Sequence, residues 1–124
     1  MGILSIECEL INPKNSRKRA KVEFLVDSGA VYSVVSKKIL ESLGIKPHSK
    51  RKFSLANGEM RERKIGDALF QYKGRKGSSP VIFGEEGDSN LLGMVTLESL
   101  GFILDPLKRE LKPLPMLLME NKEG

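Results

Sequence analysis

An aspartate lies in the middle of an apolar stretch in the segment "FLVDSGAVYSVV", residues 24–35. Asp27 is followed by Ser28 and Gly29, and apolar residues stand on both sides of these three. A buried carboxylate is costly to keep ionised unless it finds hydrogen-bond donors or shares a proton with a second carboxylate. The segment therefore predicts either acid–base chemistry at Asp27 or a plain turn with local N–H bonds, and the apolar flanks favour the chemistry.

Composition limits the classes of function. The chain has 124 residues, 40% hydrophobic and 30% charged, which suffices for one domain with a core but not for two ordinary ones. No apolar run approaches the roughly 20 residues of a membrane span, and no export signal is visible. With one cysteine, Cys8, and one histidine, His48, we expect no disulfide, metal or cofactor. We expect a soluble, cytoplasmic protein.

The net charge of +5 is concentrated in four basic clusters, at residues 14–21, 50–52, 61–64 and 73–76. Most of them coincide with turn or loop residues, so solvated hairpin ends account for them. A nucleic-acid face would need the clusters to converge with stacking aromatic residues, and only Phe53 and Tyr72 lie near any of them. Binding to nucleic acid is therefore the least favoured of the functions considered.

Alternating apolar and polar residues predict that most of the chain forms β-strands. Residues 3–11 and 20–26 alternate on either side of "NPKN" and predict a hairpin. Asn57-Gly58 predicts a second hairpin with a tight two-residue turn. Further strands are expected in "ALFQYKG" and "SPVIFG", joined through "KGRKGSS", and in a last pair turned at Asp105-Pro106.

Two short helices are expected among the strands. The first, at 36–44, begins with Ser36 as its N-cap and ends with Gly44 in the left-handed conformation. The second, at 96–101, ends in the same way at Gly101. Both contain "LESLG", which indicates either an internal duplication or a common way of ending a helix. The predicted fold is mainly β, without a parallel strand–helix–strand series.

Taken in their order along the chain, the hairpins, the aspartate loop and the glycine motif before the second helix resemble the retropepsin-like aspartic proteases. This family includes the retroviral proteases and their single-domain relatives. The family has an amino-terminal hairpin, an apolar-apolar-Asp-Thr/Ser-Gly-Ala loop, a flap hairpin, and an apolar-apolar-Gly motif before a helix. The matching segments here are residues 3–26, 25–30, 51–65 and 91–101. The resemblance implies a closed or partly open β-barrel with two short helices, a single domain at 1–115 and a C-terminal tail at 116–124.

The resemblance also implies a function, that of a homodimeric aspartic endopeptidase acting on a peptide or protein substrate. The chain has one such aspartate motif, because the second glycine motif, "NLLG", has no carboxylate. The catalytic pair would therefore be Asp27 from each of two subunits. Ser28 and Gly29 would support the catalytic loop. The substrate-binding residues implied by the resemblance are Gly29, Ala30, Ala56, Asn57 and Gly58.

Some positions leave the interpretation open. The candidates for apolar pocket walls, which are equally compatible with core positions, are Val34, Val81, Ile82 and Leu91. Val31 and Met94 stand where retroviral enzymes often have an acidic residue and an arginine, so that ion pair is absent here. The alternative function is a non-hydrolytic module of the same fold, which would dimerise and bind extended peptides by strand addition.

Overall fold

The computed structural model describes residues 4–120. Residue 3 of the predicted first strand and residues 121–124 of the predicted tail lie outside the described residues. In chain order, the elements are β1 (Ser5–Asn12), β2 (Asn15–Val26), β3 (Ser33–Ser36), α1 (Lys37–Ser42), β4 (Ser49–Ser54), β5 (Met60–Tyr72), β6 (Arg75–Gly84), β7 (Leu91–Leu92), α2 (Met94–Leu100), β8 (Phe102–Asp105) and β9 (Glu110–Pro113).

Seven strands form one sheet in the order β1-β2-β7-β3-β6-β5-β4. A further antiparallel pairing between β1 and β5, centred on Leu10 and Phe70, joins the two ends of the six-strand run into a ring. The strand β4 lies outside this ring and, within the described residues, pairs only with β5. The strands β8 and β9 form a separate hairpin. The predicted mainly-β fold with two short helices is confirmed.

The core lies inside the ring of strands because alternate side chains of each strand point inward. On β1 the inward residues are Ile6, Cys8 and Leu10, and the matching residues of β2 are Val22, Phe24 and Val26. The rings of Phe24 and Phe70 pack with centroids 5.9 Å apart. Helix α2 adds Leu97 and Leu100 to the same cluster, so this short helix is held by its apolar face.

The two-residue strand β7 lies between β2 and β3. It runs parallel to β2, with Leu91 beside Leu25 and Leu92 beside Val26, and pairs with β3 through Val34. Parallel neighbours end at the same edge of a sheet. The pairing therefore brings together the residues that follow the two strands, Asp27 and Gly93, and the Asp27 N–H donates to the Leu92 carbonyl at 3.1 Å.

Both predicted glycine helix ends are confirmed. Gly44 has φ of +74° and Gly101 has φ of +82°, in the left-handed region that favours glycine. Ser36 occupies the N-cap position of α1, but its side chain makes no capping bond. Instead, the Ser36 N–H donates to Asn90 Oδ1 at 2.9 Å, which ties the start of α1 to the segment before β7.

Two turns differ from the predictions. The predicted two-residue turn at Asn57-Gly58 is wrong: the Gly58 N–H donates to the Leu55 carbonyl and the Leu55 N–H to the Glu59 carbonyl, which makes a three-residue loop. Gly58, at φ +87°, takes the left-handed position of that loop. The connection between β5 and β6 is instead the tight one, with Lys73 at φ +48° and Gly74 at φ +78°, because strand pairing extends through most of "KGRKGSS".

Within residues 4–120, no helix combines the length and the apolar character that crossing a membrane would require.

Gly93 makes the closest backbone contact of the β7 edge. A Cβ added there would lie 2.6 Å from the carbonyl carbon of Tyr32 and 2.7 Å from the carbonyl oxygen of Val31. Its backbone, at φ −92° and ψ 174°, would accept any L residue. The glycine is therefore required by the close approach of two chain segments and not by its own conformation.

We predict that Gly93→Ala lowers the free energy of unfolding by about 3 kcal/mol, since backbone atoms on the opposing loop would have to move. Gly74→Ala is the control, because its added Cβ meets no atom within 4 Å at φ +78° and costs only about 1 kcal/mol of left-handed strain. Urea denaturation of both variants measures the difference. A Gly93→Ala variant no less stable than the control would contradict the close packing.

Candidate active site

Asp27 lies at the end of β2, on the outward face of that strand. Phe24 and Val26 point into the core, whereas Leu25 and Asp27 are exposed. The expectation of a buried carboxylate is therefore wrong for a single chain. The apolar flanks do reach the core, but strand alternation places the aspartate one residue out of phase with them.

The backbone after Asp27 folds back on its carboxylate. The Gly29 N–H donates to Asp27 Oδ1 at 2.8 Å, and the Ala30 N–H donates to the Asp27 carbonyl at 3.1 Å. A Cβ on Gly29 would lie 3.3 Å from Oδ1, so a side chain here would crowd this oxygen. Ser28 is exposed beside the carboxylate. The loop thus presents one carboxylate oxygen in a fixed orientation.

The start of α2 holds the same loop from behind. The first N–H groups of a helix have no partner within the helix. Here, the Met94 N–H donates to the Ala30 carbonyl at 2.8 Å, and the Val95 N–H donates to the Val31 carbonyl at 3.0 Å. The Asp27 loop therefore supplies the acceptors that the helix lacks, and each segment fixes the position of the other.

A buried chain of hydroxyl groups supports this junction. Ser33 and Thr96 share a hydrogen bond of 2.5 Å, and Ser79 joins Thr96 at 2.8 Å. All three residues are buried. The Gly93 N–H donates to Ser33 Oγ at 2.9 Å. Sequence reasoning missed these residues, and the only signal was a hydroxyl in each of three otherwise apolar segments.

A groove of about 800 Å³ lies next to the loop, between the loop and the β4–β5 hairpin. Of the predicted substrate-binding residues, Gly29 and Ala30 line it, together with the apolar candidates Val34, Ile82 and Leu91. Val81 does not, since it is fully buried in the core. Asp27 stands beside the groove, bonded to Gly29, and is not itself part of the wall.

The hairpin meets the groove through its strands. The predicted contacts Ala56, Asn57 and Gly58 form the exposed tip beyond the groove. The wall is formed by other residues of the hairpin, which sequence reasoning did not propose: Phe53, Ser54, Leu55, Arg61 and Arg63. The available signal was the spacing of Phe53, in β4, and Leu55, just after it, because extended residues two positions apart point to the same side.

An ion pair closes one side of the groove. Arg63 Nε donates to Asp88 Oδ2 at 2.9 Å, and Arg63 Nη2 donates to Asp88 Oδ1 at 3.3 Å. The Glu85 N–H also donates to Oδ2, at 2.8 Å. The Arg63 guanidinium, assisted by this N–H, lowers the pKa of the Asp88 carboxyl from its usual range. The pair fastens β5 to the loop that precedes β7.

Two other kinds of chemistry find no support in residues 4–120. No group of three or more His, Cys, Asp or Glu side chains that could hold a metal ion occurs there. Cys8 is buried, and burial raises the pKa of its thiol to about 12, so the thiol is not a nucleophile near neutral pH.

Comparisons with known proteins show which family and which solved structures the chain is similar to. The family described as "gag-polyprotein putative aspartyl protease" matches residues 16–99. The solved structure of the simian foamy virus (mac) protease has 22% identity and a TM-score of 0.54, over 77% of this chain and 92% of its own. A retropepsin-like aspartic protease from Rickettsia conorii has 29% identity and a TM-score of 0.45, over 84% of this chain and 85% of its own.

These matches define the class of protein. No curated protein sequence matches the chain, but the family match covers more than half of it, and the virus protease shares its fold. The fold is that of the retropepsin-like aspartic proteases. The chain belongs to the gag-polyprotein aspartyl protease family.

We predict that Asp88→Asn lowers stability near pH 7 by up to about 1 kcal/mol, since the pair is partly exposed. A carboxyl whose pKa is lowered in the folded state contributes stability above its unfolded pKa, and that contribution is lost as the pH falls through the folded pKa. The difference from the parent protein should therefore shrink at acid pH. Thermal unfolding between about pH 2 and pH 7 tests this.

Glu86→Gln is the matched control, because it removes one charge from an exposed position of the same loop. Its difference from the parent should stay small at every pH. An Asp88→Asn difference that is equal at pH 2 and pH 7 would show that the Arg63 pair contributes nothing to stability.

Proposed function

We propose that the protein is a homodimeric aspartic endopeptidase in which Asp27 of each subunit supplies one catalytic carboxylate. The observation that carries the proposal is the Asp27 loop: an exposed carboxylate, oriented by the Gly29 N–H, at the edge of a groove large enough for an extended peptide. Membership of an aspartyl protease family supports it.

The single carboxylate is the reason for a dimer. Acid–base chemistry on water requires a base and an acid together, and two carboxylates that share one proton provide both. Aspartic proteases are the known example of this effect. The equivalent position after β7 is occupied by Gly93 and Met94. A twofold axis beside Asp27 would bring the second carboxylate from an identical chain.

Exposed apolar residues fit such an interface. Leu25 is 36% exposed and Val31 is 64% exposed, and both lie within four residues of Asp27. Further along the chain, the tail after Leu114 exposes four apolar side chains in succession, at Met116, Leu117, Leu118 and Met119. Apolar runs of this kind are unusual on a monomer's surface. Contact with a second subunit would remove them from water.

In the proposed mechanism, a water molecule lies between the two Asp27 carboxylates. The ionised carboxylate takes a proton from the water, whose oxygen attacks the carbonyl carbon of the scissile peptide bond. The protonated carboxyl donates its proton to the carbonyl oxygen, giving a gem-diol. In the collapse of the gem-diol, the carboxyl that took the water proton donates it to the leaving nitrogen, the other carboxylate takes a proton from a gem-diol hydroxyl, and the C–N bond breaks. No covalent acyl-enzyme forms. The rate should follow a bell-shaped pH profile, because one proton must be present on the pair.

The β4–β5 hairpin would act as a flap over the bound peptide. Its strands already line the groove through Phe53, Arg61 and Arg63, and its tip, Ala56 to Gly58, is exposed. We propose that the tip closes on the substrate backbone when a peptide is bound. On the opposite side of the peptide, the backbone would contact Gly29 and Ala30. Ser28 and Gly29 would support the catalytic loop.

We predict that Gly58→Val lowers kcat/KM at least about tenfold by straining the flap tip at φ +87°. Gly74→Val is the control, since Gly74 has φ of +78°, also meets no atom within 4 Å, and belongs to a hairpin turn outside the groove lining. Both variants should lose similar stability, and only the first should lose activity. Equal peptide cleavage by the two would mean that the hairpin is not a flap.

We predict that Asp27→Asn folds and dimerises but does not cleave peptides, because it keeps the shape of the side chain and removes the base. A mixed dimer with one Asn and one Asp cannot form the shared-proton pair. A tenfold excess of the variant should therefore suppress wild-type cleavage as subunits exchange. Cleavage of a peptide library, read by mass spectrometry, measures this, and subunit exchange is followed separately with fluorescently labelled chains.

Undiminished wild-type cleavage after demonstrated exchange would refute the dimeric site. A wild-type protein that binds extended peptides but cleaves none would instead support the non-hydrolytic module of the same fold.

A further inference from the structure

The β4–β5 hairpin carries most of the protein's excess positive charge. Residues 49–65 contain six lysines and arginines and two glutamates, a net charge of +4 out of +5 for the whole chain. Two of the basic clusters in the sequence, at 50–52 and 61–64, are brought side by side by strand pairing. The charge of these two clusters therefore converges on one hairpin and is not spread over separate hairpin ends.

Strand register divides these charges between two faces. Arg51 pairs with Arg63, and Phe53 pairs with Arg61. Residues that are directly opposite on antiparallel strands share a face, as do residues two apart on one strand. Arg51 therefore shares the strand face of Phe53, Arg61 and Arg63, which line the groove, and stands just beyond the groove wall. We call this the groove face. Lys52, paired with Glu62, belongs to the outer face.

The three groove-face arginines differ in their partners. Arg63 is paired with Asp88, and Arg61 is paired with Glu59. Arg51 Nη1 donates to the hydroxyl of Tyr32 at 2.9 Å, and its guanidinium lies 5.6 Å from the centre of the Tyr32 ring. No carboxylate lies within 4.0 Å of Arg51 in the described part of the chain. Of these three arginines, Arg51 is therefore the one whose charge has no carboxylate partner among the described residues.

The position of Arg51 suits recognition of a carboxylate. Tyr32 lines the groove and belongs to the loop that carries Asp27. The neutral phenol holds the guanidinium in place but uses only one of its five N–H donors. The remaining donors can form paired hydrogen bonds to a carboxylate, and the orientation imposed by Tyr32 reduces the entropy lost on binding.

We propose that Arg51 is a specificity-determining residue that selects peptides with a glutamate or aspartate side chain close to the scissile bond, and that Tyr32 is its positioning residue. The proposal rests on the peptidase function proposed above and names its substrate class: peptide segments that combine apolar residues with an acidic one. Apolar side chains would contact Phe53, Ile82 and Leu91, and the acidic one would contact Arg51.

Matched fluorogenic peptides test the proposal, each carrying glutamate or its neutral isostere glutamine at one position in turn on either side of the cleaved bond. At about pH 6, where glutamate is ionised, wild type should cleave the glutamate peptide about fivefold faster at one position, as kcat/KM. Arg51→Gln should reduce that ratio to about one, and Tyr32→Phe should reduce it partly. The ratio should also fall at high salt and at about pH 3.

Lys52→Gln is the control, since it removes the same charge from the outer face of the same hairpin. It should keep the wild-type preference. A glutamate-to-glutamine ratio near one at every position in the wild type would overturn the proposal. An equal loss of preference in Lys52→Gln and Arg51→Gln would also overturn it, because the general field of the hairpin would then be responsible.

Binding of the same peptides to Asp27→Asn, followed by fluorescence anisotropy, separates recognition from turnover. A glutamate preference that disappears in the double variant Asp27→Asn, Arg51→Gln supports the proposal even where the wild type cleaves nothing and the peptidase function fails. Equal affinity for both peptides overturns the role of Arg51 while leaving the peptidase function standing. If the protein neither binds nor cleaves any of the peptides, both the role of Arg51 and the peptidase function are overturned.

Discussion

The structure depends on one junction, where the Asp27 loop meets the end of β7 and the start of α2. Gly93 approaches the loop too closely for any side chain, and the first N–H groups of α2 donate to the carbonyls of Ala30 and Val31. Buried N–H and C=O groups must find partners, and here two irregular segments satisfy each other. The catalytic candidate therefore lies on a loop whose backbone has little freedom.

The junction fixes the backbone of the Asp27 loop, and we propose that a second subunit completes the site. Asp27 is exposed and beside the groove rather than inside it. A single carboxylate of this kind has no second acid to share a proton with. The proposed dimer would account for three features together: the single carboxylate, the exposed Leu25 and Val31 next to it, and the apolar tail at Met116 to Met119.

Opposite the rigid loop, the β4–β5 hairpin is held by few contacts. Among residues 4–120, the strand β4 pairs only with β5, and its side chains are mostly exposed. Its attachments to the groove are the Arg63–Asp88 ion pair and the Arg51–Tyr32 hydrogen bond. A hairpin with weak packing and polar attachments can move without disturbing the core, as a cover for bound peptide must. One of these side chains, Arg51, supplies the charge that we propose recognises an acidic residue of the substrate.

Local patterns in the sequence determined the strands, the helix-ending glycines at 44 and 101, and the aspartate loop, because strand alternation and turn chemistry involve residues a few positions apart. The family resemblance followed from the order of these motifs. Tertiary structure alone decided that the Gly93 backbone meets the Asp27 loop, that Ser33 and Thr96 meet across 63 positions, and that Arg63 pairs with Asp88. Such contacts depend on which strands become neighbours, above all on the placement of β7 between β2 and β3, and no local pattern encodes that choice.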